Sequence, residues 1–388
     1  MHILLTVNSA WNVLNFRRSL VEALFADGHK ISILAPEDSA VTELERMGCR
    51  VRNLIMSPKG LNPREGLLLQ RQFTRAFLEE KPDIVLSYTI KNNIFGARTA
   101  RKLSVPFVPN ITGLGTAFLS GRLLRSITET LYRRSLRLLP IVFFQNADDR
   151  DLFVARDIVL REQARLLPGS GVDLNVFAPC PMPRSDKPPV FLMIGRLLKD
   201  KGVIEFVEAA RTVRKQHPAI RFQLLGPIGA DNRSAIDKST VQKWTDEGVV
   251  EYLGATKDVR PFIAEASCIV LPSYREGAPR SLIEAAAMAR PLIATDVPGC
   301  NGVVEAGISG LLCKPGNAVS LANAMKQFVS LSPEIQATMG RAGRRKMERE
   351  FDHRFVISAY REAIEHLTGI QRNSFFTTPE EACDTNVL

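Results

Sequence analysis

The feature that most restricts this chain is an alternation of short apolar runs with helical stretches, played twice and interrupted once by residues suited to neither. Residues 2–7, Lys30–Ala35, Pro82–Ser87, Pro106–Ile111 and Ile141–Gln145 have strand character. A polar loop, Asn8 to Asn12, follows the first of them, and a helical pattern from Phe16 to Ala26 stops at Gly28. The interruption holds Pro179, Pro181, Pro183, Pro188 and Pro189. Proline offers no amide hydrogen to a helix or a sheet ladder, so residues 179–189 read as a linker. Alternation then restarts, with strands at Val190–Ile194, Arg221–Leu225, Val249–Leu253, Cys268–Leu271 and Leu292–Thr295. Helices are predicted at Val203–Lys215, Val259–Glu265 and Arg280–Met288, then at Ala318–Leu331, Pro333–Glu350 and His353–Leu367. Such alternation predicts α/β units with parallel sheets covered on both faces. Two units joined by a linker leave a cleft between the carboxyl ends of their strands, where ligands bind.

The length of 388 residues fits two domains at roughly 150 residues each. We expect residues 1–178 and 190–350 to form them, residues 351–369 a closing helix, and residues 370–388 a disordered tail. No stretch reaches the ~18 apolar residues of a spanning helix, and the start carries no basic leader. The six cysteines form no CxxC and no cluster with histidine, which fits reduced thiols in a cytoplasmic protein. The chain carries a net charge of +10, and residues 1–180 hold 24 basic against 17 acidic residues. That field favours an anionic partner: phosphate, nucleic acid or an acidic membrane. Aromatic residues are 7% and no helix-turn-helix, zinc or RNP-like pattern occurs, which disfavours nucleic acid.

Three segments could carry chemistry. The first connection, with Asn8, Ser9 and Trp11, lacks the GxGxxG glycines that bring backbone to a dinucleotide, so a dehydrogenase is weakened. The second, Gly195 to Gly202, follows an apolar strand and precedes a helix. Arg196 and Lys201 there place two cations near a helix N-terminus, fit for a diphosphate; a solvated basic loop is the bland alternative. The third runs from Pro272 to Ala286. Glu276 lies in its loop, and Glu284 stands among Leu282, Ile283, Ala285 and Ala286 on the following helix. A carboxylate so flanked points inward and needs partners. Ligand hydroxyls would supply them, and so would a structural ion pair.

Glu276 to Glu284 is the E-x7-E pattern, and with Arg196 and Lys201 in this order the chain resembles the retaining GT-B glycosyltransferases of glycosyltransferase family 4. Asn110 to Gly115, Phe143 to Asn146 and Asn8 to Trp11 look closer to one subgroup, the N-acetylgalactosaminyltransferases acting on undecaprenyl-diphosphate-linked sugars. The resemblance implies two Rossmann-like domains facing across a deep cleft, with C-terminal helices crossing back to the first. It implies transfer of a hexose or N-acetylhexosamine from a nucleotide sugar, UDP-linked, to a lipid-linked saccharide acceptor at the inner face of the plasma membrane, with retained configuration. Arg196 and Lys201 would neutralise the diphosphate, Glu276 hold sugar hydroxyls and Glu284 the ribose. Gly195, Gly277, Ala278, Pro279 and Leu282 would complete the donor site. Asn8, Ser9, Trp11, Asn110, Thr112, Gly113 and Asn146 would face the cleft or the acceptor. Asn110 or Thr112 stands where many relatives carry a histidine, and Asn301 where the subgroup commonly carries an arginine. No DxD cluster follows a strand, so no metal or other cofactor is expected, and the two cations take the part of Mg²⁺.

In the basic segment from Gly121 to Leu139, a helical wheel places Leu123, Leu124, Ile127, Leu131 and Leu138 on one face. Arg122, Arg125, Arg133 and Arg137 fall on the opposite arc. Either the apolar face packs on the core, or the segment docks on an anionic membrane surface. A hydrolysing UDP-sugar epimerase shares the expected architecture, but none of the five histidines falls in a candidate site loop.

Overall fold

Each apolar run of the sequence that becomes a central strand is buried along nearly its whole length, as a parallel sheet covered on both faces requires. The computed structural model describes residues 1–57, 63–114, 122–184, 186–229 and 234–369; the tail read at 370–388 lies outside them. The first sheet contains β1 (His2–Thr6), β2 (Lys30–Ala35), β3 (Arg50–Asn53), β4 (Ile84–Tyr88), β5 (Phe107–Ile111), β6 (Val142–Phe144) and β7 (Ala164–Leu166). Its order is β3-β2-β1-β4-β5-β6-β7, and every pairing is parallel. The second contains β8 (Val190–Ile194), β9 (Arg221–Leu225), β10 (Glu251–Tyr252), β11 (Cys268–Leu271), β12 (Leu292–Thr295) and β13 (Gly310–Cys313). Its order is β10-β9-β8-β11-β12-β13, again all parallel. Strand order therefore reverses at β1/β4 in one sheet and at β8/β11 in the other. Crevices open at such reversals.

The linker solves a problem that its prolines create. They remove donors but leave carbonyls, and the fully buried Arg290 supplies the missing N–H groups to Cys180 O at 3.1 Å and Pro181 O at 2.6 Å. It also holds Ile263 O and Ala264 O, tying the linker to the second core. The C-terminal helices cross back as expected. Helix Pro333–Lys346 passes through a π-helical turn, Met347–Phe351, into helix His353–Thr368. That last helix buries Val356, Tyr360, Ala363 and Ile364 in the core of the first sheet, and Arg361 holds Asp27 at 2.7 and 2.8 Å.

Three readings need correction. The loop expected at Asn8–Asn12 is already helical from Ala10, because Ser9 caps helix Ala10–Phe16 by accepting from the Asn12 amide. The helix expected to reach Glu350 gives way at Met347 to the π-helical turn. Helix Arg122–Leu136 is rotated from the wheel: it buries Thr128, Tyr132, Ser135 and Leu136, while Leu124, Ile127 and Leu138 are exposed. Tyr132 wins the core position through ring contacts to Phe153.

Candidate active site

The loop after β8 is brought against the loop after β11 by Gly202. It has φ +75°, and a Cβ there would stand 2.1 Å from the Pro272 carbonyl oxygen. This close approach puts Lys201 beside Glu276, Nζ to Oε1 at 2.5 Å. Arg196 is exposed at the same edge and makes no ion pair with any described residue. A cleft of about 1050 Å³ opens here between the two sheets' strand ends. Gly195, Arg196, Lys201, Glu276, Ala278, Pro279 and Glu284 line it from one side, and Asn8, Ser9 and Trp11 from the other.

Glu284 is 7% exposed and sits one helical turn beyond Arg280, with which it ion-pairs. Burial raises its carboxyl above the ordinary range, and the adjacent guanidinium opposes that shift. Of the two partners the sequence leaves open, ligand hydroxyls or a structural ion pair, the structure supplies the ion pair. Arg280 itself was passed over, although four-residue spacing to Glu284 is the ordinary signature of a helical ion pair.

The remaining candidates do not line the cleft. Leu282 is fully buried in the second core. Asn110 is buried and donates to the Tyr360 hydroxyl at 3.0 Å, so it joins the C-terminal helix to the first sheet. Thr112, Gly113, Asn146 and Gly277 form a seam between the two halves. A Cβ on Gly277 would lie 2.2 Å from Thr112 O, Gly113 approaches the Gly277 amide, and Asn146 Nδ2 donates to Gly277 O at 2.8 Å. Beside them Arg275 pairs with Asp149, whose carboxylate is fully buried; burial raises that carboxyl and Arg275 opposes the rise. Neither residue was singled out from sequence. A further correction concerns His353: it lines the cleft, Nδ1 3.2 Å from Val172 O, because the closing helix starts there. The lack of histidine in the loops therefore does not speak against an isomerase.

Among the basic-segment candidates, Arg125 stands 3.8 Å from Glu129, and Arg133 donates to Asp157 O and Arg156 O at 3.1 and 2.7 Å. Arg137 is exposed, as is Arg134; the Arg122 side chain lies outside the described residues. Among the described residues no helix is long and apolar enough to cross a membrane, and no three His, Cys, Asp or Glu side chains group to hold a metal ion.

Residues 15–169 match the model of the glycosyl transferase 4-like domain, and residues 188–330 match that of glycosyl transferases group 1. The chain belongs to this glycosyltransferase family. It is 27% identical over 327 residues to the N,N'-diacetylbacillosaminyl-diphospho-undecaprenol alpha-1,3-N-acetylgalactosaminyltransferase of Campylobacter jejuni, covering 80% of this chain and 84% of that protein. A UDP-Gal:alpha-D-GlcNAc-diphosphoundecaprenol alpha-1,3-galactosyltransferase of Escherichia coli is 26% identical, over 64% of this chain and 66% of the other. The fold is GT-B: the structure of Anabaena HepE in complex with UDP aligns over 95% of this chain and 100% of its own, with TM-score 0.75 and 18% identity. As a family member the chain is a glycosyltransferase enzyme.

Proposed function

We propose that this glycosyltransferase moves a hexose or N-acetylhexosamine from a UDP-sugar to a hydroxyl of a polyprenyl-diphosphate-linked saccharide, retaining anomeric configuration and using no metal. The observation that carries the reading is the gathering of Arg196, Lys201, Glu276 and Glu284 along one wall of the interdomain cleft. The names of the Campylobacter and Escherichia relatives support the acceptor class, and the UDP-bound structural neighbour supports the nucleotide.

In the ligand-free cleft Lys201 and Glu276 neutralise each other. A bound donor divides that pair: the ammonium turns to the diphosphate and the carboxylate accepts from sugar hydroxyls. Arg196 adds a second cation to the departing UDP, where charge develops as the glycosidic bond breaks. The acceptor hydroxyl attacks from the face the leaving group departs, and a phosphate oxygen takes its proton. Glu284 accepts from the ribose hydroxyls.

Incubation of the protein with UDP-GalNAc, UDP-Gal or UDP-Glc and an undecaprenyl-diphosphate-linked monosaccharide, in excess EDTA, tests this. The expected product has the donor's α-configuration by NMR. An inverted product or a strict need for added divalent metal overturns those parts of the reading. His353 in the cleft gives the isomerase its one point of support; UDP and an epimerised sugar released without acceptor would establish it instead.

Membrane docking moves to a corrected face. Leu124, Ile127 and Leu138, with Arg134 and Arg137 beside them, offer apolar side chains and cations together. Changing the three apolar residues to Ser is expected to release the protein from vesicles containing anionic phosphatidylglycerol. Undiminished co-sedimentation would remove this face.

A further inference from the structure

Glu284 is joined to the opposite wall of the cleft by an unbroken series of contacts. Arg280 ion-pairs with it and, with the same guanidinium, donates to the Asn15 carbonyl in the first half of the chain. The guanidinium carbon stands 5.4 Å from the centre of the Phe16 ring. Phe16 meets Trp11 edge to face, ring centres 5.3 Å apart and planes at 89°. Trp11 is half exposed and lines the cleft from the side facing the donor-domain loops.

Two hydroxyls arriving at Glu284 would draw on the carboxylate charge that holds Arg280 at Oε1 and so loosen that pair. A guanidinium is a rigid planar fork, so a shift at one prong moves the others. Here a second prong, Nη1, rests on the end of helix Ala10–Phe16, the helix that carries Trp11. We propose that Arg280 is a positioning residue that transmits occupancy of Glu284 through Phe16 to Trp11. The proposal rests on the reading of Glu284 as a donor-binding carboxylate, and it makes Trp11 the acceptor-side element that senses a loaded donor. By linkage the influence is reciprocal: a saccharide engaging Trp11 changes donor affinity by the same factor.

The chain has two tryptophans, so Trp244→Phe leaves Trp11 as the sole indole reporter. UDP is titrated into this variant while calorimetry records binding and fluorescence records Trp11. The expected result is an emission change that saturates with the binding isotherm. Adding Arg280→Lys, which keeps the charge but loses the fork, or Phe16→Leu, which leaves Arg280 and Glu284 intact, should abolish the emission change while calorimetry still records UDP. An emission change that persists undiminished in a UDP-binding variant overturns the coupling, since UDP then touches Trp11 directly. So does a silent Trp11 in the Trp244→Phe protein when UDP binds. Absence of any UDP binding brings down the donor reading, and the coupling with it.

Discussion

The loops after β1 and β8 hold the same topological place, each at the strand where its sheet reverses order, yet they are built from different materials. The loop after β8 has positive-φ glycines at both ends and three cations between them, Arg196, Lys199 and Lys201. The segment after β1 has no glycine, turns helical at once under the Ser9 cap, and presents Asn8, Ser9 and Trp11. Under the proposed function, one would bring charge and backbone to phosphate, and the other would offer polar groups and a ring to a sugar. The basic surplus of the first 180 residues lies outside the loop after β8. Part of it lies on helix Arg122–Leu136, with Arg134 and Arg137 exposed.

The seam between the two halves, where Arg275 of the segment after β11 meets Asp149 of the helix after β6, should be the most sensitive place. Arg275→Ala strands the buried Asp149 carboxylate and should cost about 3–5 kcal/mol in chemical denaturation at neutral pH. Because burial raises that carboxyl, the folded form holds the proton more tightly than the unfolded chain does. The deficit should accordingly shrink as pH falls through the raised range and widen as pH rises. A deficit independent of pH would mean that Asp149 is not its source.

Next in size, Arg196→Ala and Lys201→Ala should each lower turnover by roughly 10²–10³ with unchanged circular dichroism. Near-native turnover in either would erase the contrast between the loops. Across the cleft, Trp11→Ala should raise the acceptor KM by up to roughly tenfold, the scale of one aromatic contact, while leaving the affinity for UDP almost untouched. An equal loss for UDP that Phe16→Leu does not share would show that both loops serve the donor. The smallest effect is expected from Glu284→Gln in the ligand-free protein. Burial disfavours the charged form, so the variant should unfold slightly later than wild type at neutral pH, and the two should converge in acid. Wild type being the more stable at neutral pH would contradict the direction of that shift.

The central strands were legible because a strand buried on both faces must be apolar throughout, as Val190–Ile194 and Leu292–Thr295 are. Edge strands escaped notice: Arg50–Asn53 and Ala164–Leu166 carry arginines and are half open to solvent. Arg196, Lys201 and Glu276 could be placed because each sits in a loop past a recognisable strand, and Glu284 because it stands among apolar neighbours on the helix that follows. Asn110 could not, because its role is set by Tyr360, 250 positions away. Helix Arg122–Leu136 misled for a related reason. Its leucines look like a core face, but Tyr132 and the small polar residues Thr128 and Ser135 fit the space its neighbours leave.

The chain passes between its halves twice, and the two passages touch. Val172 donates to Phe351 O at 2.8 Å and accepts from the His353 amide at 3.1 Å. Like covers sewn at a spine, the two halves are stitched backbone to backbone where the chain leaves the first and where it returns. A chain cut just before Asp352 would keep the bond to Phe351 but lose the one from His353, along with the buried face of its last helix, so such a trimmed protein should hold its halves by half a stitch.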